Sequence, residues 1–210
     1  MTDDSLTADQ VIQRLLERLG ASRRRQTVDH CLAGDPTGQV HGVATTMLAS
    51  LPVLERAAQS GMDLVISHEA IFYDHQDQAR ERLAAERDPV FRAKEEFIKQ
   101  NGMVVWHLHD IMHDCRPDLV DAATIEAMNW HEPESSAYPL VCPIPVQSLA
   151  SLADAVARQL AASSVRFIGD RQLPVRRVGL ALGFRGFEPI RQLLLRDDVD
   201  VVLAGEIHEW

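Results

Sequence analysis

Nine consecutive residues, Trp106 to Asp114, read WHLHDIMHD and carry His107, His109, Asp110, His113 and Asp114. Imidazole nitrogens and carboxylate oxygens make up the donor set that suits zinc, iron or manganese. The same groups serve as general acids and bases. The stretch follows Met103-Val104-Val105, a short apolar run of the kind that forms a buried strand. Two more apolar runs end in the same chemistry. Leu64-Val65-Ile66 leads into Ser67-His68-Glu69, and Val201-Val202-Leu203 leads into Gly205-Glu206-Ile207-His208-Glu209. Open α/β sheets bind their ligands at the carboxyl ends of strands. Three strands, each ending in histidine and a carboxylate, therefore point to one shared metal site.

Each cluster also has a plainer reading. Adjacent side chains at a strand end, such as His68 and Glu69, point in different directions. They can serve two ions, or one ion and the group that orients its ligand, and they read equally as an exposed polar strand end. His109, Asp110 and His113 form H-D-x-x-H. If a turn follows the strand, His109 and His113 face one point while Asp110 orients an imidazole; the alternative is a polar loop with unlinked histidines. His107 reads either as a packed histidine or as a ligand, and Asp114 as a cap for the helix after Pro117. Gly205 would let the backbone bend sharply beside a site, against an ordinary charged C-terminus. His30, His41, His75 and His131 stand without a strand-end setting and read as structural or surface groups, with His30 beside Asp29 the one to revisit. No phosphate loop, dinucleotide fingerprint, G-x-S-x-G elbow or zinc-finger spacing is present.

The elements that must position these residues alternate between helix and strand, which argues α/β. Thr7 to Leu19 reads as a helix with capping-box spacing at Thr7 and Gln10 and a stop at Gly20. Thr27 to Thr37 reads as loop and turn. Val40 to Leu48, Pro52 to Gln59 and Asp63 to Ile66 form a strand–helix–strand unit, the elementary block of a parallel sheet. Asp74 to Arg87 is charged and reads as an exposed loop with a helical turn or more. A helix from Asp88-Pro89 to Gln100 and a strand from Met103 to Leu108 complete a second unit. Arg116 to Trp130 reads as a helix, and Pro133 to Ser136 as the change of subdomain, dividing the chain into residues 1–132 and 133–210. Tyr138 to Val146 reads as an edge strand because of Pro143 and Pro145. A helix from Ser148 to Ala162, strands at Val165–Ile168 and Val175–Leu182, a helix at Glu188–Leu195 and a strand at Val199–Ala204 follow.

The 210 residues are 46% hydrophobic, enough for a substantial core. The formal net charge of −10 argues against nonspecific binding to DNA or RNA. It leaves open a small nucleotide held at a metal, where the ion supplies the positive charge. Cys31, Cys115 and Cys142 are odd in number and far apart, which fits a reducing cytosol. Met1 to Asp9 is polar and acidic, unlike a signal peptide, and no apolar run approaches the roughly 18–20 residues that cross a bilayer. The expected location is cytoplasmic, with no membrane partner.

At its three clusters the chain resembles the Nif-three-like dinuclear metal-centre proteins, often labelled GTP cyclohydrolase type 2-like. Ser67-His68-Glu69-Ala70-Ile71-Phe72-Tyr73 is similar to that family's T-H-H-P-x-x-F motif. His109-Asp110-Ile111-Met112-His113, followed by Pro117-Asp118, is similar to the H-D-x-x-H form of its second motif. Ala204-Gly205-Glu206 is similar to its T-G-E motif. Order and spacing agree along nearly the whole chain. The resemblance implies two packed α/β subdomains with the site in the cleft between them, two divalent ions and a ring-shaped homohexamer. It places His68, Glu69 and His113 as metal ligands, His109 as the second motif's leading histidine and Glu206 as a carboxylate lining the site. Two departures stand out. Glu69 replaces the usual second histidine and His113 the usual aspartate, a swap that keeps the balance of donors. The family also continues past T-G-E into a strand and helix carrying further ligands, so the chain is expected to be truncated after Trp210 or incomplete at its metal site.

The leading expectation is a metal-dependent hydrolase acting on a small nucleotide-like or phosphoester substrate. Two divalent ions (zinc, iron or manganese) would be held by His68, Glu69 and His113, while His109, Asp110 and Glu206 orient ligands, bind substrate or shuttle protons. The competing expectation is a metal-binding regulatory or scaffold protein without turnover.

Overall fold

The structure is a computed structural model that describes residues 5–22, 24–72, 74–133, 135 and 137–207. The chain divides into two compact units, Met1–Cys115 and Arg116–Trp210. Both mix helix and strand, as an α/β chain requires.

The first unit holds β1 (Leu6–Thr7), α1 (Ala8–Leu19), β2 (Cys31–Ala33), β3 (Gln39–Val40), β4 (Val43–Thr46), α2 (Leu51–Gln59), β5 (Leu64–Ser67), α3 (Arg80–Glu86), α4 (Pro89–Gln100), β6 (Val104–His107) and α5 (Asp110–Asp114). Its main sheet runs β2-β6-β5-β4. The last three strands are parallel, and β2 is antiparallel on β6. Strand periodicity sends alternate residues to opposite faces. Leu64, Ile66, Val104 and Trp106 pack against Ala8, Ile12 and Leu16 of α1. Val65 and Val105 turn the other way, into a core with Leu54 of α2, Leu83 of α3 and Ile98 of α4. With helices on both faces, β5 and β6 are buried at every position, which is why their sequences read as unbroken apolar runs.

Local signals place the helices. Thr7 and Gln10 form the reciprocal capping box, with Gln10 N–H donating to Thr7 Oγ1 at 3.2 Å and Thr7 N–H to Gln10 Oε1 at 2.9 Å. Gly20 ends α1 in the left-handed region, at φ 60°. Asp88 caps α4 by accepting from the Phe91 N–H at 2.8 Å. On α4, Lys94 lies on the buried side, its ammonium donating to the Ile71 carbonyl at 2.8 Å above the Phe72 ring. Burial pushes its pKa down. Strand β2 lies inside the stretch read from sequence as loop; at three residues it is too short to show a period.

The second unit holds α6 (Leu119–Ala127), β7 (Val141–Ser148), α7 (Leu149–Gln159), β8 (Pro174–Phe184), α8 (Phe187–Leu194) and β9 (Val201–Glu206). Its sheet runs β7-β8-β9, with β7 antiparallel and β9 parallel to β8. β7 is an edge strand, and its register slips between Pro143 and Gln147, where the two prolines withhold ladder donors. The division between units falls at Cys115/Arg116 and not at the 132/133 boundary expected from composition. The reason is α6, whose Ile125, with Met128 just past its end, packs with Leu140, Cys142, Val178 and Leu180 of the second unit's core.

Two local expectations need correction. Residues 165–168 form no strand. The alternation is present, since Val165 and Phe167 pack on the core while Ile168 is 94% exposed, but no ladder partner pairs with the segment. Gly205 does not serve a sharp bend. It lies within β9, where an added Cβ would stand 2.8 Å from the Gly183 nitrogen of β8, so the requirement is close approach of two backbones. Cys31, Cys115 and Cys142 are free thiols, and burial pushes the Cys142 pKa up to about 11. Among the described residues no helix is long and apolar enough to cross a membrane.

Candidate metal centre

Parallel strands end side by side, so the pairing of β5 with β6 brings two sequence motifs to one sheet end. Ser67 is in register with His107. The chain leaves β5 as His68-Glu69, whose backbone N–H groups donate to the carbonyls of Thr46 (3.0 Å) and Met47 (2.8 Å). It leaves β6 through Leu108 into α5, a single short turn with His109 at its N-terminal cap and His113 near its end. That turn puts His109 and His113 on one side. Their ring centres are 4.7 Å apart, and the His68 ring lies 4.5 Å from His109 and 5.3 Å from His113.

One nitrogen from each of His68, His109 and His113 lies within 4.8 Å of the other two. Zinc–nitrogen bonds of about 2.1 Å would set tetrahedral ligand atoms about 3.4 Å apart, so a modest closing of the three rings completes a coordination face. Nδ1 of His68 is buried and makes no well-formed hydrogen bond, a state that a cation or a donor relieves. The donor set therefore fits a first-row divalent ion. Burial pushes the His68 pKa down, and the nearby His109 and His113 push it the same way. Burial also lowers His109, outweighing its hydrogen bond to Asp110. Both rings are thereby held neutral at neutral pH, the state in which imidazole binds metal.

A second group shares His109. His75, His109 and Asp110 each offer a ligand atom within the same 4.8 Å limit. The His75 and His109 rings are 4.4 Å apart, and Asp110 Oδ1 lies 3.3 Å from His109 Nδ1. Burial alone would raise the Asp110 pKa. Hydrogen bonds from the Thr27 hydroxyl and Val28 N–H, with the nearby His109 and Arg24, hold it below the usual carboxylate range. Asp110 is thus an ionised acceptor beside an imidazole, the arrangement that orients a ligand ring.

The remaining candidates make other contacts. Glu69 belongs to neither group, although its Oε2 lies 3.8 Å from His75 Nδ1. His107 is fully buried, its ring 5.7 Å from His75 and 6.1 Å from His109, and belongs to neither group. Asp114 forms a bidentate ion pair with Arg24. Glu206 ends β9 in the second unit, opposite Phe184, and is exposed. Tyr73, His208, Glu209 and Trp210 lie outside the described residues. His75 is the group that sequence reasoning set aside: it sits in a loop with no period or motif, and only the fold returns it to His109. A cavity of about 240 Å³, lined by Gly34, Gln39, Asp63, Lys99 and Met103 among others, touches the opposite, amino end of β6. None of these histidines lines it, and the chemistry follows the histidines.

A sequence model of the Duf34/NIF3 (NGG1p interacting factor 3) proteins matches residues 7–210. No curated protein matches. Similar solved structures include Staphylococcus aureus protein SA1388, at 15% identity over 98% of this chain and 81% of that one, with a TM-score of 0.75. A Bacillus cereus protein related to NIF3 is similar at 11% identity over 97% and 83%, with a TM-score of 0.76. Reduced HcgD from Methanocaldococcus jannaschii is similar at 15% identity over 98% and 80%, with a TM-score of 0.65. At these identities the likeness is one of fold. The family match and the two histidine groups together support a metal-binding protein.

Proposed function

This chain belongs to the Duf34/NIF3 family, and from that premise we propose that it binds two divalent ions and works as a hydrolase of small nucleotide-like or phosphoester substrates. The observation that carries the proposal is the convergence of His68, His109 and His113 at the shared end of β5 and β6. His68 and His113 act as ligands, with Glu69 as a neighbouring carboxylate. The second group, built from His75, His109 and Asp110, supports a second ion. Divalent ions, when bound, supply Lewis-acid polarisation and a nucleophile at neutral pH. The chain's part is to keep the His68 and His109 imidazoles neutral by burial and to hold the His109 ring through Asp110. Asp110 is itself held by Thr27 and Val28. Assembly as a homohexamer in the cytosol belongs to the same proposal, and light scattering tests the assembly.

The first experiment is elemental analysis of protein purified without added metal, alongside a His68→Ala/His113→Ala double variant. The proposal expects about two ions per chain, lost in the variant. Hydrolysis of a panel of nucleotides and phosphoesters, abolished by chelator and restored by one metal, then separates the two readings. Metal bound without turnover on any member would replace the hydrolase with a metal-binding regulatory or scaffold protein. No bound metal in the parent chain would overturn both.

A further inference from the structure

Helix α5 carries His113 and is capped by His109, yet it is only five residues long. Nucleating a helical turn fixes several dihedrals for one hydrogen bond, so so short a helix does not hold its own shape. Its first donors also lack partners within the helix. The structure supplies both needs from a distant loop. Asp29, 3% exposed, accepts three consecutive backbone N–H groups: His109 at 2.7 Å and Asp110 at 2.8 Å on Oδ1, and Ile111 at 2.9 Å on Oδ2. The Asp29 backbone is itself anchored, its N–H donating to Thr27 Oγ1 at 3.0 Å. The clasp is reciprocal, because Asp110 accepts from the Thr27 hydroxyl and the Val28 N–H. At the other end of α5, Arg24 of the same loop pairs with Asp114.

We propose that Asp29 is the positioning residue of the metal centre: its carboxylate fixes the backbone from which the His109 and His113 rings project. The inference rests on the reading that these histidines hold a metal. An aspartate accepting N–H groups at a helix start is ordinarily a stabilising cap, and Asp88 on α4 is that case, a local bond to Phe91 three residues on. Asp29 differs in three respects. It comes from eighty positions away in sequence, it takes three donors, and the turn it holds carries His113 and is capped by His109.

The test is a cobalt(II) titration of the full chain, followed by its visible absorption, on the parent, Asp29→Ala, Asp29→Asn and Asp88→Ala, with circular dichroism and thermal denaturation on each. Partners that orient metal ligands typically contribute about 10–100-fold in affinity. Asp29→Ala is expected to keep its far-ultraviolet spectrum, bind cobalt weaker by that order and show an altered visible band. Asp29→Asn should recover part of the affinity, since its one remaining oxygen still accepts from His109 and Asp110. Asp88→Ala should lose thermal stability and keep the parent's affinity and band. Parent-like cobalt binding in Asp29→Ala overturns the inference, as does an equal loss in Asp29→Ala and Asp88→Ala. If Asp29→Ala does not fold, Asp29→Asn decides: weakened binding supports the inference and parent-like binding overturns it. A parent chain with no cobalt band overturns the metal reading and this inference with it.

Discussion

Ser67 and His107 stand opposite one another in the parallel register of β5 and β6. Neither residue belongs to a ligand group, but their pairing decides that His68 and His109 leave the sheet side by side. The rings of His68, His109 and His113 meet only because of that register.

Metal removal should therefore be read in stability. A ligand that binds only the folded chain stabilises it by an amount set by its free concentration over Kd, about 2.7 kcal/mol at one hundred times Kd. Chelator should lower the melting temperature of the parent chain and leave the His68→Ala/His113→Ala variant unchanged. Equal shifts in both proteins would place the metal elsewhere.

The metal-free chain should weaken as pH falls below neutrality. Burial holds His68, His107 and His109 below their ordinary value in the folded state, whereas in the unfolded chain they titrate near about 6.5. Between those values the unfolded chain binds more protons, so stability rises with pH. It is fully present above about 6.5 and is lost as pH drops through the folded pKa values. Urea midpoints in chelator should fall between pH 7.5 and pH 5.5, and fall less in a His107→Leu variant. A midpoint that holds steady across the interval would count against neutral buried imidazoles.

Arg185 is the charge on which the start of α6 depends. Its guanidinium reaches Asp118 at 2.6 Å and Asp121 at 3.6 Å, and both carboxylates are buried. Removing one partner of a buried pair strands the other charge, at about 3–5 kcal/mol. Arg185→Ala should lower the urea stability of the chain by that order. A loss below about 1 kcal/mol, the range of exposed pairs, would show that water already reaches the carboxylates.

Gly205→Ala should loosen β9 from β8, because the new methyl meets the Gly183 backbone at 2.8 Å. Overpacking of this kind costs about 1–3 kcal/mol. Faster amide exchange at Leu203 and Ala204, with protection in β5 and β6 unchanged, is the expected signature.

Much of this protein is legible in its local chemistry. The capping box at Thr7 and Gln10, the Asp88-Pro89 start and the apolar runs at 64–66 and 103–105 each depend on neighbours within a few residues. The segment at 165–168 shows the limit of that kind of reading. Its alternation reports burial, and burial alternates without a ladder when no strand lies alongside. His75 shows the same limit in the site, since a loop histidine carries no period that could tie it to His109. Asp29 has a sequence setting like that of any turn aspartate, and its three donors come from the far side of the chain.

By itself, the sequence determined that imidazoles and carboxylates follow buried strands, because side-chain type and apolar periodicity are local properties. Only the tertiary structure decided which of them converge. The pairing of β5 with β6 and the capping of α5 by Asp29 are contacts between distant segments, and the geometry of a metal centre is made of such contacts.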